Sequence, residues 1–234
     1  MSLFRNVVLA AALSGLVAGV AMTGIQTVTT VPLILEAETY ETAAPDPVHA
    51  PAAPYAAAAE ATGPEAWAPA DGAQRTAYTA LANIVTAIGF ALLLIVAAEF
   101  AGGFAGWRQG LFWGLAGFAV FTLAPGIGLP PELPGMPAGP LGAQQAWWIA
   151  TAAATAGGLA LIVFKRSAGL AVLGLALIVL PHVVGAPKPE SFETAVPGGL
   201  HHDFIAAVIV SSFIFWAVLG GTAGYLRSRA AGTA

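Results

Sequence analysis

Long apolar runs constrain the fold of this chain more than any other feature. A helix rises about 1.5 Å per residue, so roughly 20 apolar residues cross the hydrocarbon core of a bilayer. Runs near that length occupy residues 7–27, 81–98, 110–124, 147–164, 169–184 and 204–225. Only 9% of the residues are charged, against about 25% in soluble domains, so lipid must form part of the solvent. The sequence predicts one membrane domain over residues 1–234, an all-α polytopic transmembrane helix bundle with six spans.

Three of the six runs resemble segments that do not span a membrane. Runs 110–124 and 169–184 are short for a span, and re-entrant or interfacial segments have similar lengths. Run 7–27 exceeds the ~7–15 residues of a signal-peptide core, and no small-x-small cleavage pattern sits cleanly between it and Pro32. An uncleaved first helix is therefore expected.

The basic residues support both short spans. Cytoplasmic loops of membrane proteins carry an excess of lysine and arginine. With six spans and both termini cytoplasmic, only Arg75 and Lys188 fall outside. The inside then receives Arg5, Arg108, Lys165, Arg166, Arg227 and Arg229. Omitting either short span would move later basic residues to the wrong side.

The acidic residues and histidines follow the opposite division. Glu99 is the one acid assigned to the inner side, where it is interpreted as an exposed helix end. The outer side receives Glu36, Glu38, Glu41, Asp46, Glu60, Glu65, Asp71, Glu132, Glu190, Glu193 and Asp203, with His49, His182, His201 and His202. The predicted outer face is therefore acidic and holds every imidazole of the chain.

Two outer loops differ in character. Residues 42–74 are rich in alanine, proline and acids without a periodic pattern, which predicts a flexible Ala/Pro-rich loop. Residues 123–142 read LAPGIGLPPELPGMPAGPLG. Proline fixes φ and biases the preceding residue toward extended backbone, so the second loop should be stiff and able to hold Glu132 in a fixed direction.

Several kinds of chemistry find no support in the residues. The chain has no cysteine, which excludes thiolate metal sites and cysteine nucleophiles. No basic cluster is present that could hold nucleic acid. Phosphate-binding loops, HExxH helices and Ser-His-Asp spacings do not occur. The chain is therefore expected not to be an enzyme, and no permanently bound cofactor is expected.

The outer face does supply ligands for a divalent metal. First-row metals take imidazole nitrogen and carboxylate oxygen when thiolates are absent. The candidate ligands are His182, Glu132, His201, His202, Glu36 and Glu38. His182 is the most telling, because a polar group at the edge of the hydrocarbon is costly unless it is satisfied. The alternatives are solvated interfacial histidines, a solvated acidic face, and Asp203 as a cap of the last helix.

Helix packing and a polar path can also be read from the sequence. The pairs Gly15–Gly19, Gly106–Gly110, Gly110–Gly114 and Gly220–Gly224 have the spacing that lets helices approach closely. Trp147 and Trp148 are interpreted as interfacial anchors. Polar residues that can line a path are Gln26, Asn83, Thr86, Thr151 and Thr155. The alternative for Thr151 and Thr155 is that each hydroxyl bonds back to its own helix.

Four segments carry a family resemblance: GLPPELPGMP, QQAWWIATAAATAGGLALI, VLPHVVGAPKPE and FWAVLGGTAGYLRSR. The chain resembles the CbtA family, proposed cobalt transporter subunits A of the bacterial inner membrane. The resemblance implies cobalt uptake for cobalamin synthesis, and a small single-span subunit with a histidine-rich motif (CbtB-like) as partner. Glu36, Glu38, Glu132 and His182 fall in the shared motifs.

The combined interpretation is uptake of a divalent transition-metal cation, with cobalt favoured, across the bacterial inner (cytoplasmic) membrane. The partners expected are the lipid bilayer, the metal ion and the CbtB-like subunit. The alternatives are a non-transporting membrane scaffold or metal-binding accessory subunit, and a proton-coupled carrier of another solute. Imidazole and carboxylate also suit nickel and zinc, so the residues leave the choice of metal open.

Overall fold

The computed structural model describes residues 2–43 and 69–231, and these are helical with irregular connections and no strand. The helices are α1 (Ser2–Val28), α2 (Thr30–Ala43), α3 (Ala73–Phe100), α4 (Trp107–Phe118), α5 (Ala124–Gly128), α6 (Leu141–Phe164), α7 (Ala168–Val184) and α8 (Gly198–Ala231). A π-helical turn, Ala119–Leu123, joins α4 to α5. The predicted all-α class is confirmed.

Two prolines explain the interruptions of the helices. Pro32 has no N–H for the carbonyl of Val28, and its ring crowds that carbonyl. The helix accordingly breaks at Thr29 and resumes as α2. Pro125 likewise leaves the carbonyl of Phe121 without its usual donor, and the backbone widens into the π-helical turn just before it.

In the described part of the chain, five helical segments are long and apolar enough to cross a membrane: Phe4–Val28, Ala73–Phe100, Trp107–Gly128, Leu141–Phe164 and Gly198–Ala230. The sixth predicted span corresponds to α7, a shorter apolar helix of 17 residues. The helices extend beyond most of the predicted runs because the backbone stays helical through polar flanking residues. Helix α3 begins at Ala73, eight positions before the run that predicts it.

The structure corrects two expectations about helix ends: the bounds of the flexible loop and the cap of the last helix. Residues 42–43 and 73–74 of the predicted flexible loop are helical, and residues 44–68, which include His49, lie outside the described part of the chain. Asp203 does not cap the last helix, because α8 already begins at Gly198. The last apolar run begins at Phe204, but the helix starts six residues earlier, through Gly198–Asp203.

Glycine lets the central helices α1, α3, α4 and α8 approach closely. A Cβ atom on Gly15 would lie 2.5 Å from the backbone of Ile88, and one on Gly110 would lie 2.3 Å from the carbonyl oxygen of Gly220. Buried alanines and large side chains, among them Ile95 and Leu219, fill the core between these helices. The predicted tight packing is confirmed at these positions. Gly106 differs, because a Cβ there would meet no atom within 4 Å.

Helices α6 and α7 form an antiparallel hairpin beside this central bundle. They cross at Gly158 and Gly174, where a Cβ on Gly158 would lie 2.4 Å from the carbonyl oxygen of Gly174. The hairpin approaches the rest of the bundle mainly at the π-helical turn and α5. Stacking of Trp148 on Phe121, with centroids 6.1 Å apart, strengthens this junction.

The antiparallel packing sorts the charges to opposite ends of the molecule. One end, here called the acidic end, carries Glu36, Glu38, Asp71, Glu132, Glu190, Glu193 and Asp203, with Arg75 and Lys188. The opposite end, here called the basic end, carries Arg5, Arg108, Lys165, Arg166, Arg227 and Arg229, with Glu99. The first and last described helices thus have their outer termini at the same, basic end.

Glu99 is not simply an exposed helix end. The guanidinium of Arg227 on α8 donates to its carboxylate, with Nε 2.9 Å from Oε1. The Arg227 side chain is 7% exposed and that of Glu99 32% exposed. The interpretation of Glu99 as an exposed helix end was wrong. Its partner Arg227 is 128 positions away in the chain, so no local pattern indicates the contact.

Replacing Glu99 by glutamine should lower the stability of the bundle. Breaking a buried ion pair typically costs 3–5 kcal/mol; because Glu99 is partly exposed, we expect about 2 kcal/mol, or a fall in Tm of roughly 6 °C. Thermal unfolding of the purified protein in detergent measures this. Glu190→Gln, an exposed loop carboxylate, is the control and should leave Tm unchanged. An unaltered Tm for Glu99→Gln would show that the pair does not stabilise the fold.

Candidate functional site

His182 lies in the last turn of α7, directly after a proline within the helix. The indole of Trp147 on α6 donates from Nε1 to the carbonyl oxygen of Pro181 at 3.2 Å. The His182 ring packs edge-on against the same indole, with centroids 5.8 Å apart. Trp147 therefore fixes both the backbone before His182 and the plane of its imidazole.

One nitrogen of this imidazole has no protein partner. His182 Nδ1 is buried and forms no hydrogen bond. A buried polar atom without a partner costs free energy comparable to a lost hydrogen bond. An imidazole nitrogen held in this way is available to a metal ion or a water molecule.

Two hydroxyls on α6 share this property. Thr151 and Thr155 are 0% and 2% exposed, and neither Oγ1 has a hydrogen-bond partner. They stand on the helix face that also presents Trp147 and Gly158, because residues three and four apart are neighbours on a helix. Since Trp147 contacts Pro181 and Gly158 contacts Gly174, that face is turned toward α7.

Other hydroxyls in the bundle behave differently. Ser14 donates to the carbonyl of Ala10 at 2.6 Å, and Thr222 donates to that of Val218 at 2.7 Å. This is the usual way in which a helix satisfies a buried hydroxyl, and it was the alternative for Thr151 and Thr155. The structure does not show it there. His182, Thr151 and Thr155 thus form a line of unpartnered polar groups, here called the α6–α7 seam, that enters the bundle from the acidic end.

His201 and Glu132 come close together through the backbone of the proline-rich loop. His201 Nε2 lies 3.0 Å from the carbonyl oxygen of Pro131, next to Glu132 in the chain. The loop itself is anchored: Leu133 is buried beside Ala37 and Phe204. Glu132 and His202 are exposed, and the His202 ring stacks on that of His201 with centroids 6.5 Å apart.

The two glutamates of α2 have different surroundings. Glu38 accepts hydrogen bonds from the guanidinium of Arg75 on α3, with Nη1 3.3 Å from Oε2. Arg75 also donates to Asp71 at 3.1 Å. Glu36 is exposed. An arginine between two carboxylates neutralises part of the acidic end, and nothing in the spacing of Glu38 and Arg75 indicated this contact.

The predicted ligands do not form one preassembled cluster. Over residues 2–43 and 69–231 there is no group of three or more histidine, aspartate and glutamate side chains placed to hold a metal ion. The assignment of His182, Glu132, His201, His202, Glu36 and Glu38 as ligands stays a prediction.

A second polar region lies between α1 and α3. The amide of Asn83 donates to Gln26 Oε1 at 2.7 Å and to Thr23 Oγ1 at 3.0 Å. Beside them is a cavity of about 300 Å³ that reaches Arg75 at the acidic end. Thr86 does not belong to this region, because its side chain is exposed on the outside of α3.

Trp147 was wrongly interpreted as an interfacial anchor. It is 8% exposed and packs between α6 and α7. Tryptophan is common at membrane interfaces, and the sequence offers no sign that one member of the Trp147–Trp148 pair points inward.

Apolar helices of spanning length, with basic and acidic residues at opposite ends, define a multi-pass membrane protein. The chain belongs to the CbtA family: the family model described as "Probable cobalt transporter subunit (CbtA)" matches residues 4–228. The predicted resemblance is confirmed over nearly the whole chain. Comparisons with curated proteins and with solved structures found no match.

Proposed function

We propose that this chain is a transport subunit for uptake of a divalent transition-metal cation, with cobalt as the favoured ion, across the bacterial inner membrane. The family match over residues 4–228 carries this proposal. The cation is cargo, and the protein needs neither a resident cofactor nor enzymatic activity for this role.

The α6–α7 seam is the route that the geometry supports best. A cation entering at the acidic end meets carboxylates, which raise its local concentration, and then the unpartnered Nδ1 of His182. The hydroxyls of Thr151 and Thr155 follow along α6. Each oxygen or nitrogen replaces part of the hydration shell, as polar groups lining other ion pathways do.

We propose six spans, with α7 as the sixth and the basic end in the cytoplasm. A helix of 17 residues is about 26 Å long, close to the roughly 30 Å of the hydrocarbon core. Helix α7 lies along α6 from Gly174 to Pro181. The basic end has the lysine and arginine excess of cytoplasmic loops.

The family description names a subunit, so the complete transporter has at least one other component. We propose a small single-span, histidine-containing protein of the CbtB type. It would add ligands to His182 and to the other predicted ones, namely Glu132, His201, His202, Glu36 and Glu38.

Uptake of radioactive cobalt tests the function. Cells producing this chain together with the single-span subunit should accumulate more cobalt than cells with an empty vector, and excess nickel should compete. Accumulation equal to the vector control, at verified membrane expression of both proteins, would contradict transport and favour the accessory or scaffold role.

The double variant Thr151→Val/Thr155→Val tests the route. Valine keeps the shape of threonine and removes two unsatisfied hydroxyls, so Tm should stay equal or rise. Cobalt uptake should fall about tenfold, which corresponds to roughly 1.4 kcal/mol of lost interaction. Thr86→Val, on the exposed side of α3, is the matched control. Equal uptake in the seam variant and the control would place the route elsewhere.

A further inference from the structure

A large apolar groove lies between the central bundle and the α6–α7 hairpin, away from the seam. Its volume is about 890 Å³, and residues of α3, α4, the π-helical turn and α6 line most of it. Gln109 is the only lining residue, among those described, with an amide or charged side chain. Several lining side chains are largely exposed, including Leu93, Phe112 and Val163 at 60%, 70% and 62%.

The groove exists because the hairpin touches the bundle at its two ends. At the acidic end α6 packs on the π-helical turn and α5. At the basic end the rings of Trp113 and Phe164 lie 6.3 Å apart. Between these contacts α6 stands away from α3 and α4. An apolar groove in a membrane protein is filled by apolar groups from the bilayer, since it offers water almost no polar partners.

Acyl chains suit this groove because they are narrow, flexible and wholly apolar. They can conform to an irregular surface lined by exposed apolar side chains such as Leu93, Phe112 and Val163. The charges at the end of the groove indicate which head group accompanies these chains.

Three cations stand at the basic end of the groove. Arg108 directly precedes the lining residue Gln109, and Lys165 and Arg166 directly follow the lining residue Phe164. All three are exposed. In the described part of the chain no carboxylate lies within 4.0 Å of their charged groups. The one nearby acid, Glu99, is paired with Arg227.

We propose that this groove and these cations bind one anionic phospholipid, with its acyl chains against α3, α4 and α6 and its phosphate beside Arg108, Lys165 and Arg166. Basic pockets between spanning helices are suited to anionic head groups, and arginine forms paired hydrogen bonds with phosphate oxygens. The N-terminus of α7, which begins at Ala168 just after Arg166, adds the positive end of a helix dipole. The proposal depends on the membrane fold and not on which solute is transported.

Lipid binding to the purified full chain tests the proposal. Phosphatidylglycerol and phosphatidylcholine with identical acyl chains are titrated in detergent, and bound lipid is counted by native mass spectrometry. Phosphatidylglycerol should bind with one-to-one stoichiometry and higher affinity. The triple variant Arg108→Gln/Lys165→Gln/Arg166→Gln should bind it about 100-fold more weakly, given the usual effect of three cations near an anionic lipid.

Two further variants keep the result interpretable. Arg5→Gln removes a cation of the basic end on α1, which does not line the groove, and should bind phosphatidylglycerol like the wild type. Ala160→Trp fills the groove from α6 and should weaken binding of both lipids while the protein stays folded in size-exclusion chromatography.

The proposal is overturned if both lipids bind equally well, if the triple variant binds like the wild type, or if Ala160→Trp binds both lipids normally. It is also overturned if inorganic phosphate binds as tightly as phosphatidylglycerol, because the acyl chains would then contribute nothing to binding. Co-purification of a single-span protein that is released by Ala160→Trp would identify a helix as the occupant instead.

Discussion

Cobalt uptake should fall to the level of the empty vector when His182 is replaced by phenylalanine. Phenylalanine keeps an aromatic ring against Trp147, whose indole packs edge-on against His182, and removes both ring nitrogens. Loss of an outer-shell partner alone weakens metal affinity roughly 10–100-fold, so loss of the ligand itself should exceed about 100-fold. Cobalt binding to purified protein and uptake by cells at matched membrane expression both measure this.

Two controls separate the ligand from its packing. Val183→Ala changes the next residue, which is 76% exposed, and should transport like the wild type. His182→Ala should lose uptake as well and, in addition, lower Tm through lost contact with Trp147. Wild-type uptake by His182→Phe would show that the imidazole nitrogens are not needed to bind the cargo, without contradicting the transport function itself.

Replacing Gly220 by alanine should have the largest effect on folding. The new Cβ would lie 2.3 Å from the carbonyl oxygen of Gly110 and 2.6 Å from the Cα of Gly114. These are backbone atoms, so the clash can be relieved only by separating α4 from α8. Overpacking typically costs 1–3 kcal/mol, and we expect about 3 kcal/mol here because two rigid helices must move.

Gly221→Ala is the matched control on the same helix. A Cβ there meets no atom within 4 Å, and alanine is favoured over glycine in a helix by about 1 kcal/mol. Its Tm should equal or exceed that of the wild type, whereas Gly220→Ala should reduce the yield of monodisperse protein in detergent. Equal yields and Tm values for the two variants would contradict close α4–α8 packing.

The helices were predictable because one physical requirement dominates them. In a bilayer every backbone polar group must be satisfied within the segment, so apolar runs become helices almost regardless of detail. The charges of the described residues divide as predicted because loops alternate between the two ends of an antiparallel bundle. Close contact at Gly15 and Gly110 was also expected, since small residues allow backbones to approach.

The candidate site was only partly predictable. His182 was singled out from its position at the edge of an apolar run, and its buried, unpartnered nitrogen is compatible with that prediction. Thr86 and Thr151 looked equivalent in the sequence, yet one is exposed and the other buried. The rotation of each helix about its axis determines which residues are buried. In these uniformly apolar helices, the pattern of polar residues is too weak to indicate which side faces the protein.

The amino-acid sequence by itself determined the membrane class, the helices, the opposite charge of the two ends and the family. Those properties follow from local hydropathy, helix geometry and residue order. Only the tertiary structure decided that Glu38 pairs with Arg75, that Glu99 pairs with Arg227, and that three polar atoms in the α6–α7 seam have no partner. Each of these features depends on which side of a helix packs against which neighbouring helix. That packing involves residues far apart in the chain, so local sequence does not indicate it.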